Sequence, residues 1–372
     1  MSIWNYAARL PELDPIHRLT LGEGNTPLIR SRRVGPAIGC QQLAFKLESS
    51  NPTGSYKDRF AASALSHLQA AGLKACLGTS SGNTGAAVAA YAAAAGIPCL
   101  LAIVDTAPQG KLRQMLAYGA RLFRIRDFGS SPEVTREVMG GLPVLAQALQ
   151  ADVLISAFAY SPAGMAGVQT ISYELTEQMP EGIDHVFSPS GGGGLTLAVA
   201  RGFRAGAGTG GAPAVHCVQP EGNDTIAGPL RAGAAKARAV TCTSTISGLQ
   251  VGSVIDGDHT LAACRASGGN GHLVSDDDVF TWQRRLAREE GIFCEPAGAV
   301  ALAGLARAVS AGEIDPVSRI VCLVTGSGFK DEVSLHRMTE QAPCPRLPDF
   351  ASFEAEIRRL SGEAAKGGNL SG

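Results

Sequence analysis

The sequence lacks the residue spacings that hold zinc. Its nine cysteines include no pair separated by two residues, and its seven histidines include no His-x-x-x-His pair. Zinc ligands recur at such short spacings, so we expect no metal in the functional site. Several cysteines, among them Cys76, Cys99 and Cys322, lie in apolar segments, which predicts reduced and mostly buried thiols.

An excess of charge of one sign and a long apolar run are also missing. The 32 basic and 33 acidic residues leave a net charge of −1, with no basic stripe that would attract nucleic acid or an anionic membrane surface. The longest run of small apolar residues, 86–95, is shorter than the roughly 20 residues of a membrane-spanning helix. Residues 1–10 lack the basic and apolar segments of a secretory signal. We therefore expect a cytoplasmic protein that binds neither nucleic acid nor membrane.

Short apolar runs alternate with segments long enough to form helices. This alternation predicts an α/β fold with buried parallel strands and helices on both faces of each sheet. Ligands of open parallel sheets bind beyond the carboxyl ends of the strands, which here are the loops after Leu77, Phe187 and Val324. The predicted strands are residues 73–77, 99–104, 121–125, 153–155, 185–187, 215–218 and 320–324.

A turn-forming segment, Asn-Pro-Thr-Gly-Ser-Tyr-Lys-Asp-Arg at 51–59, runs into an Ala-rich helical pattern and places Lys57 near the start of a helix. The positive end of the helix dipole and partial desolvation both lower the pKa of an amine, which favours the neutral form that attacks an aldehyde. Lysine is scarce here, with seven residues against 25 arginines. The alternative is a solvated lysine in a first helical turn.

Three further loops carry groups that could bind a small anionic ligand. The hydroxyls of Ser80, Ser81 and Thr84 and the amide of Asn83 follow a predicted strand and suit a carboxylate and a ring hydroxyl, although a capped turn would look the same. Thr325, which follows the last strand, offers a hydroxyl or belongs to an ordinary turn.

The remaining loop, 188–195, contains the four consecutive glycines Gly191, Gly192, Gly193 and Gly194. Glycines let the backbone wrap closely round a phosphate, and the alternative is a helix packed tightly on its sheet. The loop lacks the spacing of a nucleoside triphosphate loop, and no acidic residue follows at the dinucleotide spacing. The predicted ligand is therefore a smaller phosphate compound.

Together these segments resemble the fold-type-II pyridoxal-phosphate enzymes, the group that contains threonine synthase, serine and threonine dehydratases and cysteine synthase. Gly-Glu-Gly-Asn-Thr-Pro-Leu at 22–28 is similar to the entry segment of the family, and residues 287–297 are similar to a segment of threonine synthases. The resemblance covers residues 21–332. It implies two three-layer open-sheet domains of the tryptophan synthase β type and a homodimer.

The expected division is a large cofactor-binding domain of residues 1–55 and 161–345, a small mobile substrate domain of residues 56–160, and a tail of residues 346–372. The tail offers one weak amphipathic helix around residues 353–360, and we expect disorder from residue 361 onward.

The resemblance also implies a role for each site residue. Lys57 would hold pyridoxal 5'-phosphate as a Schiff base and then act as general base and proton donor at Cα. Asn83 would pair with the ring hydroxyl of the cofactor, and Thr325 would face the pyridine nitrogen. The glycine loop described above would hold the phosphate. Ser80, Ser81 and Thr84 would bind the carboxylate or leaving group of an amino-acid substrate.

Two departures from threonine synthases bear on the substrate. Those enzymes carry Asn-Pro-x-Arg where this chain has Ser161-Pro162-Ala163-Gly164, so a bidentate cation for a substrate phosphate is missing. They also tend to have asparagines at the positions of Gly191 and Gly194. The sequence therefore predicts a lyase that performs β- or γ-elimination or replacement on an L-amino acid other than O-phosphohomoserine. The alternatives are a true threonine synthase and a non-catalytic scaffold of the same fold.

Overall fold

The computed structural model describes residues 2–107, 109–206 and 211–365. Residues up to Asp331 form one compact unit, and those from Glu332 onward form a second, smaller one. Within the described residues the strands, in chain order, are β1 (Leu28–Arg30), β2 (Leu43–Leu47), β3 (Ala75–Gly78), β4 (Cys99–Val104), β5 (Arg121–Ile125), β6 (Ala151–Val153), β7 (His185–Pro189), β8 (Ala214–Pro220), β9 (Gly271–Val274) and β10 (Ile320–Val324).

The strands form two open sheets. The larger has the order β1-β2-β10-β7-β8-β9, in which only the β1–β2 pair is antiparallel. The smaller has the order β5-β4-β3-β6 and is parallel throughout. Central strands such as β10, whose five residues are all buried, are apolar because helices cover both faces of a parallel sheet.

Helices connect the parallel strands in both sheets. Most begin directly after a loop at the carboxyl end of a strand, as α3 and α8 do. The helices are α1 (Val34–Ala37), α2 (Lys57–Ala70), α3 (Asn83–Ala95), α4 (Gln109–Ala117), α5 (Pro132–Ala148), α6 (Pro162–Val168), α7 (Thr170–Gln178), α8 (Gly194–Gly206), α9 (Ala227–Arg231), α10 (Gly257–Ala266), α11 (Asp276–Arg285), α12 (Pro296–Ser310), α13 (Glu332–Thr339) and α14 (Phe350–Ala365). Shorter 3-10 turns and one π-helical turn, Leu286–Glu290, complete the described chain.

The predicted α/β class with two open sheets is confirmed, and all seven predicted strands are present. Two are displaced: β3, at 75–78, begins two residues later than predicted and ends one residue later, and β6, at 151–153, lies two residues earlier. Strands β1, β2 and β9 were not predicted. The short strand β1 is largely exposed at the sheet edge, β2 carries the buried Lys46, and β9 begins Gly-His, so none forms a purely apolar run.

The tail differs from the expectation. Helix α14 continues through Ala365, so the prediction of disorder is wrong for residues 361–365, while residues 366–372 lie outside the described residues. Adding one residue to an existing helix adds a hydrogen bond without a new nucleation step, and the Arg358–Glu354 and Arg359–Glu356 pairs support the preceding turns. The boundaries of the expected large and small domains stay a prediction.

Close packing of α6 on α2 places the first turn of α2 in the interior. A Cβ atom at Gly164 would lie 2.6 Å from the Phe60 ring and 2.9 Å from the Ala64 methyl, and one at Gly167 would collide with the Arg59 carbonyl. Glycine at these two positions therefore lets the helix backbones approach closely.

Candidate active site

Lys57 is the first residue of α2, and its side chain points into the interior. Its Nζ donates a hydrogen bond of 2.8 Å to Ser156 Oγ and lies 4.5 Å from the centroid of the Tyr56 ring. Burial lowers the pKa of Lys57 to about 7, although the carboxylates of Glu295 and Asp256 oppose this by favouring the ammonium form. Near neutral pH a large fraction of the amine is therefore neutral and able to act as a nucleophile or base.

The start of α2 is anchored on two sides. The Tyr56 N–H donates to the Thr325 carbonyl at 3.1 Å, which ties the helix to the end of β10. The guanidinium of Arg59 is 0% exposed and donates to Glu48 at 2.7 Å and to Glu174 at 2.6 Å. A buried arginine paired with two carboxylates has a defined geometry, so the direction of the Lys57 side chain is set by these contacts.

The glycine loop after β7 exposes its N–H groups. The carbonyl oxygens of Gly191, Gly192 and Gly193 all accept hydrogen bonds from neighbouring residues, that of Gly193 from the Thr260 hydroxyl at 3.0 Å. Within the described part of the chain, the N–H groups of the same three glycines have no acceptor. Since the loop leads directly into α8 at Gly194, these donors lie at the positive end of a helix and fit a phosphate.

Side chains at Gly193 would obstruct this loop. Its φ is +99°, a left-handed conformation that favours glycine, and a Cβ atom there would collide with the Thr260 hydroxyl. The residues present therefore fit the phosphate group of a cofactor.

Asn83 and Thr325 converge on Glu295. Asn83 Nδ2 donates to both carboxylate oxygens of Glu295, at 3.0 and 2.9 Å, and the Thr325 hydroxyl donates to Oε1 at 3.3 Å. Burial raises the pKa of Glu295, while the Asn83 and Thr325 hydrogen bonds oppose that shift. Residues from the ends of β3 and β10 are thus brought to one carboxylate.

The loop after β3 leaves its donors available. Ser80 Oγ accepts from the Gly82 N–H at 3.2 Å, a contact within the loop. No acceptor is present among the described residues for the N–H groups of Ser81 and Asn83, at the start of α3. Thr84, in the first turn of α3, is buried. The loop is suited to bind a carboxylate, although among the described residues the Lys57 amine donates to Ser156 and not to Ser80, Ser81 or Thr84.

Two residues of the site, Ser156 and Asp256, were not predicted from the sequence. Ser156 contacts Lys57, and its carbonyl oxygen would lie 3.3 Å from a Cβ atom at Gly194, so it links the lysine to the glycine loop. Asp256 Oδ2 would lie 3.2 Å from the same Cβ atom. Ser156 follows β6, and that position at a carboxyl strand end was an available signal; Asp256 had none. Glu295 lies in segment 287–297, which resembles threonine synthases, but it was not predicted as a site residue.

In the described residues no group of three or more His, Cys, Asp and Glu side chains could hold a metal ion. None of the helices in the same residues combines the length and hydropathy needed to cross a membrane. All nine cysteines are described, and all are free thiols; seven are buried, Cys242 is partly exposed and Cys344 is exposed.

Comparisons with known proteins find related sequences and structures. Residues 19–326 match the family model described as pyridoxal-phosphate dependent enzyme. The chain is 31% identical over 347 residues to the threonine synthase of Methanocaldococcus jannaschii, which covers 92% of this chain and 84% of that protein. The solved structure of maize serine racemase is 28% identical with a TM-score of 0.72, covering 86% of this chain and 92% of the racemase.

A threonine deaminase from Solanum lycopersicum, 24% identical, shares the fold with a TM-score of 0.72 and covers 92% of this chain and 94% of its own.

Proposed function

Because the chain belongs to the fold-type-II family of pyridoxal-phosphate dependent enzymes, we propose that it is a lyase that performs β- or γ-elimination or replacement on an L-amino acid. The observation that carries this proposal is the placement of Lys57, a partly buried amine with a pKa of about 7, which reaches through Ser156 to a glycine loop whose N–H groups find no acceptor among the described residues. Pyridoxal phosphate is the cofactor of this family.

Four groups of this chain would hold the cofactor. Lys57 would hold its aldehyde carbon, and the N–H groups of the loop 191–194 would bind its phosphate. The Thr325 hydroxyl and the Asn83 amide would bind the ring, since both already reach the same carboxylate. A neutral hydroxyl such as that of Thr325 would not keep the pyridine nitrogen protonated. This would limit how much negative charge the ring withdraws and would favour elimination over transamination.

The remaining steps belong to the side chains of this protein. When bound, the cofactor supplies an electron sink that stabilises negative charge developing at the substrate Cα. Lys57, once free, would remove the Cα proton as general base and later return a proton, because its pKa of about 7 allows both directions near neutral pH. The hydroxyls of Ser80, Ser81 and Thr84, with the N–H groups at the start of α3, would orient the substrate carboxylate.

The choice of substrate rests on the segment before α6. The Ser161 hydroxyl donates to the Val153 carbonyl and accepts from the Ile155 N–H, both at 3.3 Å, and is therefore engaged in local structure. Gly164 is packed against Phe60, which leaves no room for a phosphate-binding arginine at that position. These contacts support a substrate other than O-phosphohomoserine. The second candidate function is threonine synthase, which the 31% identity to the Methanocaldococcus jannaschii enzyme favours.

We also propose that the protein is a cytoplasmic homodimer. The cytoplasmic location is supported by the nine free thiols, since disulfides form in oxidising compartments. The homodimer is supported by the family resemblance alone, and sedimentation of the holoenzyme tests it directly.

The deciding experiment compares Lys57→Ala with Lys74→Ala. Lys74 is an exposed lysine beyond the C-terminal end of α2. We expect the purified wild-type protein to show the visible absorbance of bound cofactor and to release an oxo acid from a hydroxy amino acid. Lys57→Ala should lose turnover at least 10³-fold together with the wild-type absorbance band, whereas Lys74→Ala should keep both. Phosphate release from O-phosphohomoserine at ordinary enzyme rates would instead establish the second candidate, and a protein that binds no cofactor would contradict both.

A further inference from the structure

We propose that Gln219 and Thr260 are positioning residues of the glycine loop, which hold its carbonyl oxygens and thereby direct its N–H groups towards the phosphate of the cofactor. This inference rests on the proposed function. It adds the two side chains that give the loop its preference for a phosphorylated ligand.

The glycine loop is held through its carbonyl oxygens. Three successive carbonyls each accept a hydrogen bond from a group outside the loop, and two of the donors are side chains. The pairs are Gly191 with Gln219 Nε2 at 3.1 Å, Gly192 with the Asp256 N–H at 3.1 Å and Gly193 with the Thr260 hydroxyl at 3.0 Å. The carbonyl side of the loop is therefore fixed to β8, which contains Gln219, and to the start of α10.

The direction of each N–H group in the loop follows from the carbonyl of the same peptide. None of the described peptide bonds is cis, and in a trans peptide the C=O and N–H bonds point in opposite directions. The carbonyl bound by Gln219 therefore turns the Gly192 N–H away from β8. Within the described part of the chain this N–H has no acceptor, so it stays available for an anion.

The Gln219 amide has one orientation that suits all its neighbours. It is 0% exposed, and its Oε1 accepts from the Ile226 and Ala227 N–H groups at 2.7 and 2.9 Å. Its Nε2 donates to the Gly191 carbonyl and also to the Thr225 hydroxyl, the latter at 2.9 Å. Exchange of the amide oxygen and nitrogen would set donor against donor and acceptor against acceptor, so the donor is fixed towards the loop.

Thr260 holds the peptide that leads into α8. It lies in the first turn of α10 and is 0% exposed, and its hydroxyl is shared between the Gly193 carbonyl and the Asp256 carbonyl, at 3.0 and 2.9 Å. A Cβ atom at Gly193 would collide with this hydroxyl. The hydroxyl and the glycine therefore occupy the space between loop and helix together, and the Gly194 N–H is turned away from α10.

This arrangement predicts an effect that is selective for the phosphate group. Pyridoxal carries the same aldehyde as pyridoxal 5'-phosphate, but it has no phosphate for the N–H groups of the loop to bind. If Gln219 and Thr260 direct those N–H groups, loss of either side chain weakens the binding of pyridoxal phosphate much more than that of pyridoxal. A side chain that only stabilises the fold would affect both ligands alike.

The test measures the dissociation constants of pyridoxal 5'-phosphate and pyridoxal by absorbance titration of protein stripped of cofactor. We expect the wild type to bind the phosphorylated ligand roughly 100-fold more tightly. Gln219→Met keeps the length of the side chain and removes the donor, and Thr260→Val keeps the shape and removes the hydroxyl. In both variants this preference should fall about tenfold, the value of one lost hydrogen bond to a peptide that binds an anion.

Two conservative variants separate positioning from other effects. Gln219→Glu can still accept from the N–H groups at the start of α9, but it adds a negative charge and offers no ordinary amide donor to Gly191. A preference lost in Gln219→Glu and kept in Gln219→Met would reveal charge repulsion and contradict the inference. Thr260→Ser retains the hydroxyl and should keep the wild-type preference.

The matched controls remove similar hydrogen bonds elsewhere. The Thr176 hydroxyl donates to the Ser172 carbonyl at 2.9 Å, four residues earlier in α7, just as Thr260 contacts the carbonyl four residues before it. Gln42 Nε2 donates to the Val317 carbonyl at 2.7 Å. Thr176→Val and Gln42→Met should therefore keep the wild-type preference. Circular dichroism of every variant reports whether it is folded.

The expected fall in Gln219→Met and Thr260→Val, with unchanged controls, supports the inference. An unchanged preference in these folded variants, or an equal loss of affinity for both ligands, overturns it and leaves the proposed function intact, since the protein still binds its cofactor. A wild type that binds both ligands equally well also overturns it. Wild-type protein that binds neither ligand overturns the proposed function and this inference together.

Discussion

Burial gives Lys57 a different acid-base behaviour from a lysine in water. Desolvation lowers its pKa to about 7, against an ordinary value of 10.5, because the interior disfavours the ammonium form. Two carboxylates, Glu295 and Asp256, limit the shift. The amine is thus able to give up or accept a proton near neutral pH.

Chemical modification measures this pKa directly. In protein stripped of cofactor, the rate of acetylation of Lys57 by acetic anhydride should rise with pH and level off above a midpoint near 7, since only the neutral amine reacts. Mass spectrometry of the peptide that carries Lys57 gives the rate, with the exposed Lys74 as internal reference. A midpoint near 10 for Lys57 would show that the side chain is solvated and would remove the basis for its role as base.

The contact between α2 and α6 shows how one helix positions another. Gly164 and Gly167 bring the α6 backbone against α2, and the first residue of α2 is Lys57. A larger residue at either glycine must push the helices apart, because well-packed interiors have little free volume. The direction of the lysine therefore depends on glycines more than 100 residues away in the chain.

Gly164→Ala tests this packing. The added methyl group would meet the Phe60 ring at 2.6 Å, so we expect the free energy of unfolding to fall by about 1–3 kcal/mol. The matched control is Gly140→Ala in the middle of α5, where a Cβ atom meets nothing within 4 Å and the protein should gain about 0.5–1 kcal/mol. Denaturant titration of both variants measures the difference. If both glycines respond alike, the proposed close approach of α6 to Phe60 is absent.

A row of histidines crosses three adjacent strands of the larger sheet. His185 on β7, His216 on β8 and His272 on β9 are joined by ring-nitrogen contacts of 3.1 and 3.0 Å. The His216 ring stacks on Phe187 at a centroid distance of 4.4 Å. Burial lowers the pKa of His216 to about 2 and that of His272 to about 4, so both rings are neutral in the folded protein at physiological pH.

The stability of the whole molecule should therefore fall in acid. Below pH 6.5 the unfolded chain takes up protons on these histidines and the folded chain does not, so the free energy of unfolding decreases as the pH falls from 6.5 towards 4. Each buried ring contributes about 1.4 kcal/mol per pH unit in that window. Denaturant titrations at pH 5 and 7.5 should show a shallower pH dependence for His216→Gln than for the wild type, with the exposed His336→Gln as control. Identical slopes for all three proteins would mean that the row does not titrate as described.

Central predicted strands such as β7 and β10 could be recognised because buried parallel strands are continuous apolar runs, and the expected positions of the site loops followed from the rule that ligands bind at carboxyl strand ends. The three strands that were not predicted depart from that pattern, because β1 is largely exposed, β2 contains a buried lysine and β9 begins with a glycine. In the same way Lys57 was identifiable from its turn and helix start, and the glycine loop from its composition.

Local composition and periodicity were thus enough to predict the α/β class and the loops in which the site residues were expected, whereas the family resemblance came from the sequence motifs. Only the tertiary structure decided which side chains meet, because those contacts join distant residues. Asn83 reaches Glu295 over 212 residues of sequence, and Asp256 reaches Phe158 over 98. Burial, which lowers the pKa of Lys57, is likewise a property of packing that no short segment of sequence contains.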